Sequence, residues 1–305
     1  MKFVRVLVLS LAAMAIGASL SAAKDQPKQP SKSLPGVKSL LNIPYIADGH
    51  ERHRLDLFVP EKAEGRLPLI VWIHGGGWQG GSKEGCPALG FVGKGYVAAS
   101  LNYRLSQHAV FPAQLEDCKA AIRWLRANAA EYHIDPDRIG VWGASAGGHL
   151  VALLGTTGGV KELDKGDNLD QSSRVQCVVD WCGPTDFVHW DPKFNKDVNG
   201  MIARLLGGER PGNQEKARKA SSLFYVTKDA APFLIFHGAV DNIVPLSQSE
   251  SLAATLKKAG VEVKLQVLKD TGHGGPAFGS PESRKLMEDF FARHLGKEKP
   301  KGNSK

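Results

Sequence analysis

The chain has 305 residues, of which 42% are hydrophobic and 23% charged, an ordinary globular composition with ample material for a large core. This excludes a disordered chain, a collagen-like chain and a disulfide-stapled miniprotein. The net charge is +8, but all except one unit of it falls in residues 1–35 and 297–305, which argues against a nucleic-acid partner, since such binding needs a basic face on the folded domain. Lys2 and Arg5 open the chain, an apolar run extends from Val6 to Leu20, and Ser21-Ala22-Ala23 follows. This pattern predicts a secretory signal peptide over residues 1–23, cleaved after Ala23, and hence a secreted or periplasmic protein. The apolar run is about 15 residues, short of the roughly 20 that span a bilayer, so no stable membrane insertion is expected. Residues 24–36, rich in Lys, Pro and Ser, read as a flexible leader.

Residues 43–47 and 52–59 read as strands around a turn at Asp48-Gly49. Leu69 to Ile73 is a continuous apolar run, as expected of a parallel strand covered on both faces, and Tyr96 to Leu101 is another. Leu115, Cys118, Ile122, Leu125 and Ala129 recur at helical spacing over residues 113–129. Short strands are expected at 138–142, 174–181 and 233–236. Leu246 to Ala259 reads as an amphipathic helix ended by Gly260. Residues 261–267 alternate strictly, as a strand with one wet face near a sheet edge does. A last helix is expected over 281–295. Strand and helix alternating this often predicts an α/β domain over residues 37–295, a mostly parallel sheet with helices on both faces. The stretch 183–229 lacks strand signals and is expected to form a small cap, and residues 296–305 a disordered basic tail.

Three segments carry chemistry, each at a predicted strand end. Gly143-Ala144-Ser145-Ala146-Gly147 lies between a strand and a helix, where a G-x-S-x-G turn lifts its serine clear of the sheet. His74-Gly75-Gly76-Gly77-Trp78 follows the strand at 69–73. Its glycines allow backbone amides to approach a developing oxyanion. Asp241 and His273 follow two late strands. A serine hydroxyl needs an imidazole to take its proton, and the imidazole needs a carboxylate to fix its tautomer. The order Ser145, Asp241, His273 is that of the α/β-hydrolases. Asp186 and Asp270 are rival acids. His74, His149 and His237 read as structural. No metal-ligand spacing, Walker motif or dinucleotide fingerprint occurs, so neither metal nor cofactor is expected.

Aromatic residues suggest the substrate. Trp78 follows the glycines at once, and Trp181, Phe187 and Trp190 surround the start of the insertion. They could wall a pocket for a phenolic acid or a sugar face, although Trp181 and Phe187 equally suit a core. Asp191, Lys193, Lys196, Asp197, Glu209 and Arg210 make the insertion polar, unlike the lid of a long-chain lipase. Four cysteines, Cys86, Cys118, Cys177 and Cys182, could pair after export, with Cys86–Cys118 favoured. Cys118 and Cys177 equally suit buried thiols.

The runs VWIHGGGWQGGSKE, FPAQLEDCKAAIRWLRANA, IDPDRIGVWGASAGGHLVALLG, FHGAVDNIVP and TGHGG resemble the α/β-hydrolase esterases with an HGGGW oxyanion loop. The resemblance spans residues 40–295 and is to the feruloyl and acetyl xylan esterase-like branch; hormone-sensitive-lipase-like carboxylesterases are more distant. It implies Ser145 as nucleophile, Asp241 as acid and His273 as base, with Gly76, Gly77 and the Ala146 amide as oxyanion hole. Those distant relatives usually carry Asp before the nucleophile, and this chain has Ala144. The function implied is a secreted serine carboxylic ester hydrolase for short-chain or aromatic-acid esters, such as acetyl or feruloyl esters of plant polysaccharide. The alternatives are an amide hydrolase on the same fold, formamidase- or peptidase-like, and a non-catalytic hydrolase-fold binding module.

Overall fold

The computed structural model describes residues 35–296. The signal peptide at 1–23, most of the leader and all but the first residue of the basic tail lie outside the described residues. Eight strands form one sheet: β1 (Val37–Pro44), β2 (Arg54–Pro60), β3 (Leu67–Ile73), β4 (Val97–Leu101), β5 (Ile134–Ala144), β6 (Cys177–Trp181), β7 (Phe233–Gly238) and β8 (Val263–Leu268). Their order is β1-β2-β4-β3-β5-β6-β7-β8. β1 and β2 pair antiparallel, β2 pairs antiparallel with β4, and the rest is parallel. The six main helices are α1 (Ala113–Ala127), α2 (Ala146–Thr156), α3 (Lys196–Leu206), α4 (Gln214–Lys219), α5 (Ser247–Lys258) and α6 (Pro281–Leu295).

The pleat sends successive side chains to opposite faces, and the strands are apolar on both. Leu69, Val71 and Ile73 of β3 pack with Leu115 and Ile122 of α1 and Leu150 of α2; Ile70 and Trp72 pack on the other face with Phe91 and with Phe291 and Leu295 of α6. β5 and β7 divide likewise, Val141 and Ile235 to the first face, Trp142 and Phe236 to the second. β8, the alternating segment, lies at the sheet edge. Among the described residues, no helix is long and apolar enough to cross a membrane.

The expected Cys86–Cys118 bridge is absent, and all four cysteines are free and buried. The sheet itself is the reason: Cys86 belongs to the α6-side core and Cys118 to the α1-side core. Residues 183–229 hold no strand; they carry α3, α4 and short 3-10 turns.

Candidate active site

The loops after the parallel strands meet at one end of the sheet, where such folds place their ligands. Ser145 sits between β5 and α2 with φ 56° and ψ −120°, a sparsely populated backbone state costing about 1–3 kcal/mol. The turn is clamped by its amide, which donates to the Trp181 carbonyl at 2.8 Å, and by its carbonyl, which accepts from the His149 amide at 2.9 Å. Gly147 is obligatory, since a Cβ there would collide with the Ile73 carbonyl.

Ser145 and His273 stand 128 residues apart in sequence and in hydrogen-bond contact in space. His273 Nδ1 lies 2.8 Å from Asp241 Oδ2, and His273 Nε2 lies 2.8 Å from Ser145 Oγ. Nδ1 facing a carboxylate carries the ring proton, so Nε2 presents a lone pair to the serine hydroxyl. Asp241 Oδ1 accepts the amides of Ile243 and Val244 at 2.8 and 2.9 Å. Burial acts to raise the Asp241 carboxyl, but hydrogen bonds from His237, His273 and the Val244 amide outweigh it and hold the group well below the usual carboxylate range. His237 is a second imidazole on this acid. Its Nε2 lies 2.9 Å from the Val244 carbonyl and 3.3 Å from Asp241 Oδ2, while Ser249 Oγ meets its Nδ1 at 2.7 Å. The rival Asp186 is consumed locally by the amides of Val188 and His189 and by the His189 ring. The other rival, Asp270, stands in the turn after β8 with φ 53°, while the His273 ring is taken by Asp241.

Opposite the serine lies the loop after β3. Gly76 and Gly77 have φ of 109° and 58°, and among the described residues no backbone carbonyl takes the amides of Gly76, Gly77 or Ala146. The first amides of a helix such as α2 have no intrahelical acceptor and sit at its positive end. The loop is braced from several sides. Arg52 donates to the carbonyls of Gly81 and Tyr103 at 2.9 and 2.8 Å and reaches His74 Nε2 at 3.2 Å. His74 stacks on Tyr103 at 4.4 Å, and burial pushes its imidazole down to about 4. The Ser106 amide donates to the Trp78 carbonyl at 2.7 Å. Trp78 Nε1 donates to His149 Nδ1 at 3.1 Å, and His149 Nε2 donates to the Ala220 carbonyl at 2.7 Å.

Most of the candidate aromatic residues are enclosed. Trp78 and Trp190 are 2% exposed and Phe187 is fully buried. Trp78 packs edge-on to His149 and Phe187 at 5.3 and 5.8 Å, filling the space between its own loop, α2 and the start of the insertion. Trp181 joins a cluster on the α6 side, 4.8 Å from Trp142 and 5.2 Å from Phe278. Trp78 and Phe187 are therefore enclosed in the core, while Trp190 borders a surface cavity with Val188, Pro192 and Arg210. Large rings gain most by being fully enclosed, and spacing alone does not show which side of the loop the ring takes.

Among the described residues, two groups of side chains bring three possible metal-ligand atoms within 4.8 Å of one another: His50, Glu51 and His108, and Cys182, Asp241 and His273. In the first, Nδ1 of each imidazole accepts a backbone amide, from Arg52 at 3.1 Å and Leu105 at 3.2 Å, which leaves the ring proton on Nε2 and no free lone pair. In the second, Asp241 and His273 already hold each other, and burial raises the Cys182 thiol well above its ordinary value.

Comparison with known proteins places the chain and its fold among esterases. The BD-FAE family profile matches residues 55–256. Esterase LipQ of Mycobacterium tuberculosis is 29% identical over 85% of this chain and 68% of its own length. The chain spans just over half the length of the next two curated relatives. A solved truncated form of a carbohydrate esterase from gut microbiota is 34% identical, with TM-score 0.78 over 85% of this chain and 97% of that one. An acetyl ester-xyloside bifunctional hydrolase from Caldicellulosiruptor lactoaceticus is 32% identical, with TM-score 0.67 over 79% of this chain and 87% of that one.

Proposed function

This chain belongs to the BD-FAE family of α/β-hydrolase esterases, and we propose that it hydrolyses carboxylic esters through an acyl-enzyme on Ser145. The observation that carries the reading is the unbroken chain Ser145 Oγ, His273 Nε2, His273 Nδ1, Asp241 Oδ2, with both contacts at 2.8 Å. His273 Nε2 takes the Ser145 proton as Oγ attacks the ester carbon. The carbonyl oxygen becomes an oxyanion held by the amides of Gly76, Gly77 and Ala146. The imidazolium, balanced by Asp241, passes its proton to the departing alcohol. A water then takes the alcohol's place, gives its proton to His273, and releases the acid and the free serine.

Substrates with short acyl or aromatic acid parts fit this reading, and acetyl or feruloyl esters of plant polysaccharide are the class we favour. The polar insertion and the likeness to carbohydrate esterases support it. The segment 1–23 supports export to the periplasm or the medium. Serine, imidazole and amides supply nucleophile, proton transfer and charge stabilisation, so the reaction calls for no metal.

The test is hydrolysis of p-nitrophenyl esters from acetate to laurate, with methyl ferulate and acetylated xylan alongside. Highest kcat/KM on acetate to butyrate, with acetate or ferulate released from the natural esters, supports the proposal. A maximum on laurate with interfacial activation would overturn the substrate class. Activity retained in Ser145→Ala would overturn the mechanism.

A further inference from the structure

Helix α3 contacts both the loop that carries Asp241 and the loop after β3. At its start the Asn195 side chain accepts the amides of Asp197 and Val198 at 3.0 and 3.2 Å. The same side chain donates to the Asn242 carbonyl, beside Asp241, at 2.9 Å. Toward its end Arg204 donates to Gln79 Oε1 at 2.6 Å, next to the glycine loop. Val198, Ile202, Leu205 and Leu206 anchor the helix in the core. Met201 points at the loop: a methyl group placed on Gly77 would lie 2.6 Å from Met201 Sδ.

The approach of Met201 to Gly77 bears on which part of an ester it would meet. The departing alcohol receives its proton from His273, so it lies on the side of the base, which is held by Asp241, the neighbour of the Asn242 that Asn195 contacts. The acyl group extends the other way from the ester carbon. At 1.5 Å per residue, Met201 is about 9 Å along α3 from Asn195, over the glycine whose amide faces the carbonyl oxygen. We propose that Met201 is the side chain that sets how long an acyl group the site accepts. Its unbranched thioether closes the space beyond the carbonyl carbon, and its length rather than its polarity does the work. The inference rests on the ester-hydrolase reading of Ser145, and it names a specificity residue in a segment that no catalytic motif marks.

The experiment measures kcat/KM for p-nitrophenyl acetate, butyrate, hexanoate and octanoate with the full chain, its Ser145→Ala variant, Met201→Ala and Met201→Phe. Shortening Met201 should raise the hexanoate-to-acetate ratio roughly tenfold or more, the scale of a few methylenes gained in an apolar pocket. Met201→Phe should lower the butyrate-to-acetate ratio, a change of opposite sign that keeps the test decisive if Met201→Ala does not fold. A parallel series with acetate fixed and the alcohol lengthened should leave both variants close to the parent. Ratios within twofold of the parent in the acyl series, or a shift in the alcohol series alone, overturn the role of Met201. Acetate turnover surviving in Ser145→Ala would instead overturn the reading of the site itself.

Discussion

Ser145 keeps its positive φ because three contacts hold it there: the Trp181 carbonyl, the His149 amide and the close pass of Gly147 beneath β3. The strain sits where the proposed chemistry needs an exposed hydroxyl. Ser145→Ala and His273→Ala should each lower kcat by roughly 10⁴-fold or more, and the double variant should be little worse than either, since such residues act as a unit. Asp241→Asn should cost about 10⁴-fold by favouring the wrong imidazole tautomer. Near-additive losses, or Asp186→Asn matching Asp241→Asn, would contradict the assignment. His149 gives a separate test through stability. Burial pushes it down to about 4, only partly offset by its bond to the Ala220 carbonyl. Between about pH 6.5 and 4 the unfolded chain therefore binds a proton that the folded one refuses, so stability is full above the window and is lost as pH falls through it. At pH 5 the loss from this group is about 2 kcal/mol relative to pH 7. Asp180 opposes it: burial pushes its carboxyl up to about 6, so its contribution falls as pH rises between about 4 and 6. Comparing urea midpoints of His149→Gln and the parent at pH 5 and 7 isolates His149. The parent should lose more stability than the variant on acidification, and equal losses would refute the account.

At the scale of elements, α3 depends on its N-cap. Asn195 satisfies two of the first helical amides and ties the helix to the acid loop, so Asn195→Ala should destabilise the protein by about 1 kcal/mol, read as a shift in denaturation midpoint at unchanged slope. The sequence pattern locates most elements well because both faces of the sheet are covered and apolar runs stand out. α1, α5 and α6 fall within two residues of where periodicity puts them. The misses have local causes. β5 extends from Ile134 to Ala144 through Asp135-Pro136-Asp137, residues that weaken any strand pattern. β1 begins at Val37 rather than residue 43, since its side chains are mostly exposed and alternate poorly. The 3-10 turn at Pro87–Lys94, which supplies Phe91 to the second core face, is too short to show a period. Met201 lies in α3 with no motif around it; only the contact across to Gly77 singles it out.

For the whole molecule, the geometry of the candidate triad was legible because order and strand-end placement are properties of the chain. Which of the aromatic rings would be enclosed was not, because burial of a ring depends on which layers close over it. The cysteine pairing failed for the same reason, since sequence distance does not tell which side of a sheet a thiol faces. All four thiols should titrate on denaturation without reductant, and dithiothreitol should leave Tm unchanged; fewer than four would restore a bridge. Prolonged dialysis against EDTA should leave esterase activity intact, and a loss reversed by one divalent ion would contradict the metal-free mechanism. The central claim is that Ser145 becomes covalently bound during turnover. The direct measurement is intact-protein and peptide mass spectrometry after reaction with a p-nitrophenyl alkylphosphonate, which a nucleophilic serine displaces with release of nitrophenolate. The account predicts one adduct per chain, on the peptide containing Ser145, with one equivalent of nitrophenolate and none in Ser145→Ala. An adduct on another residue, or undiminished labelling of Ser145→Ala, would contradict it.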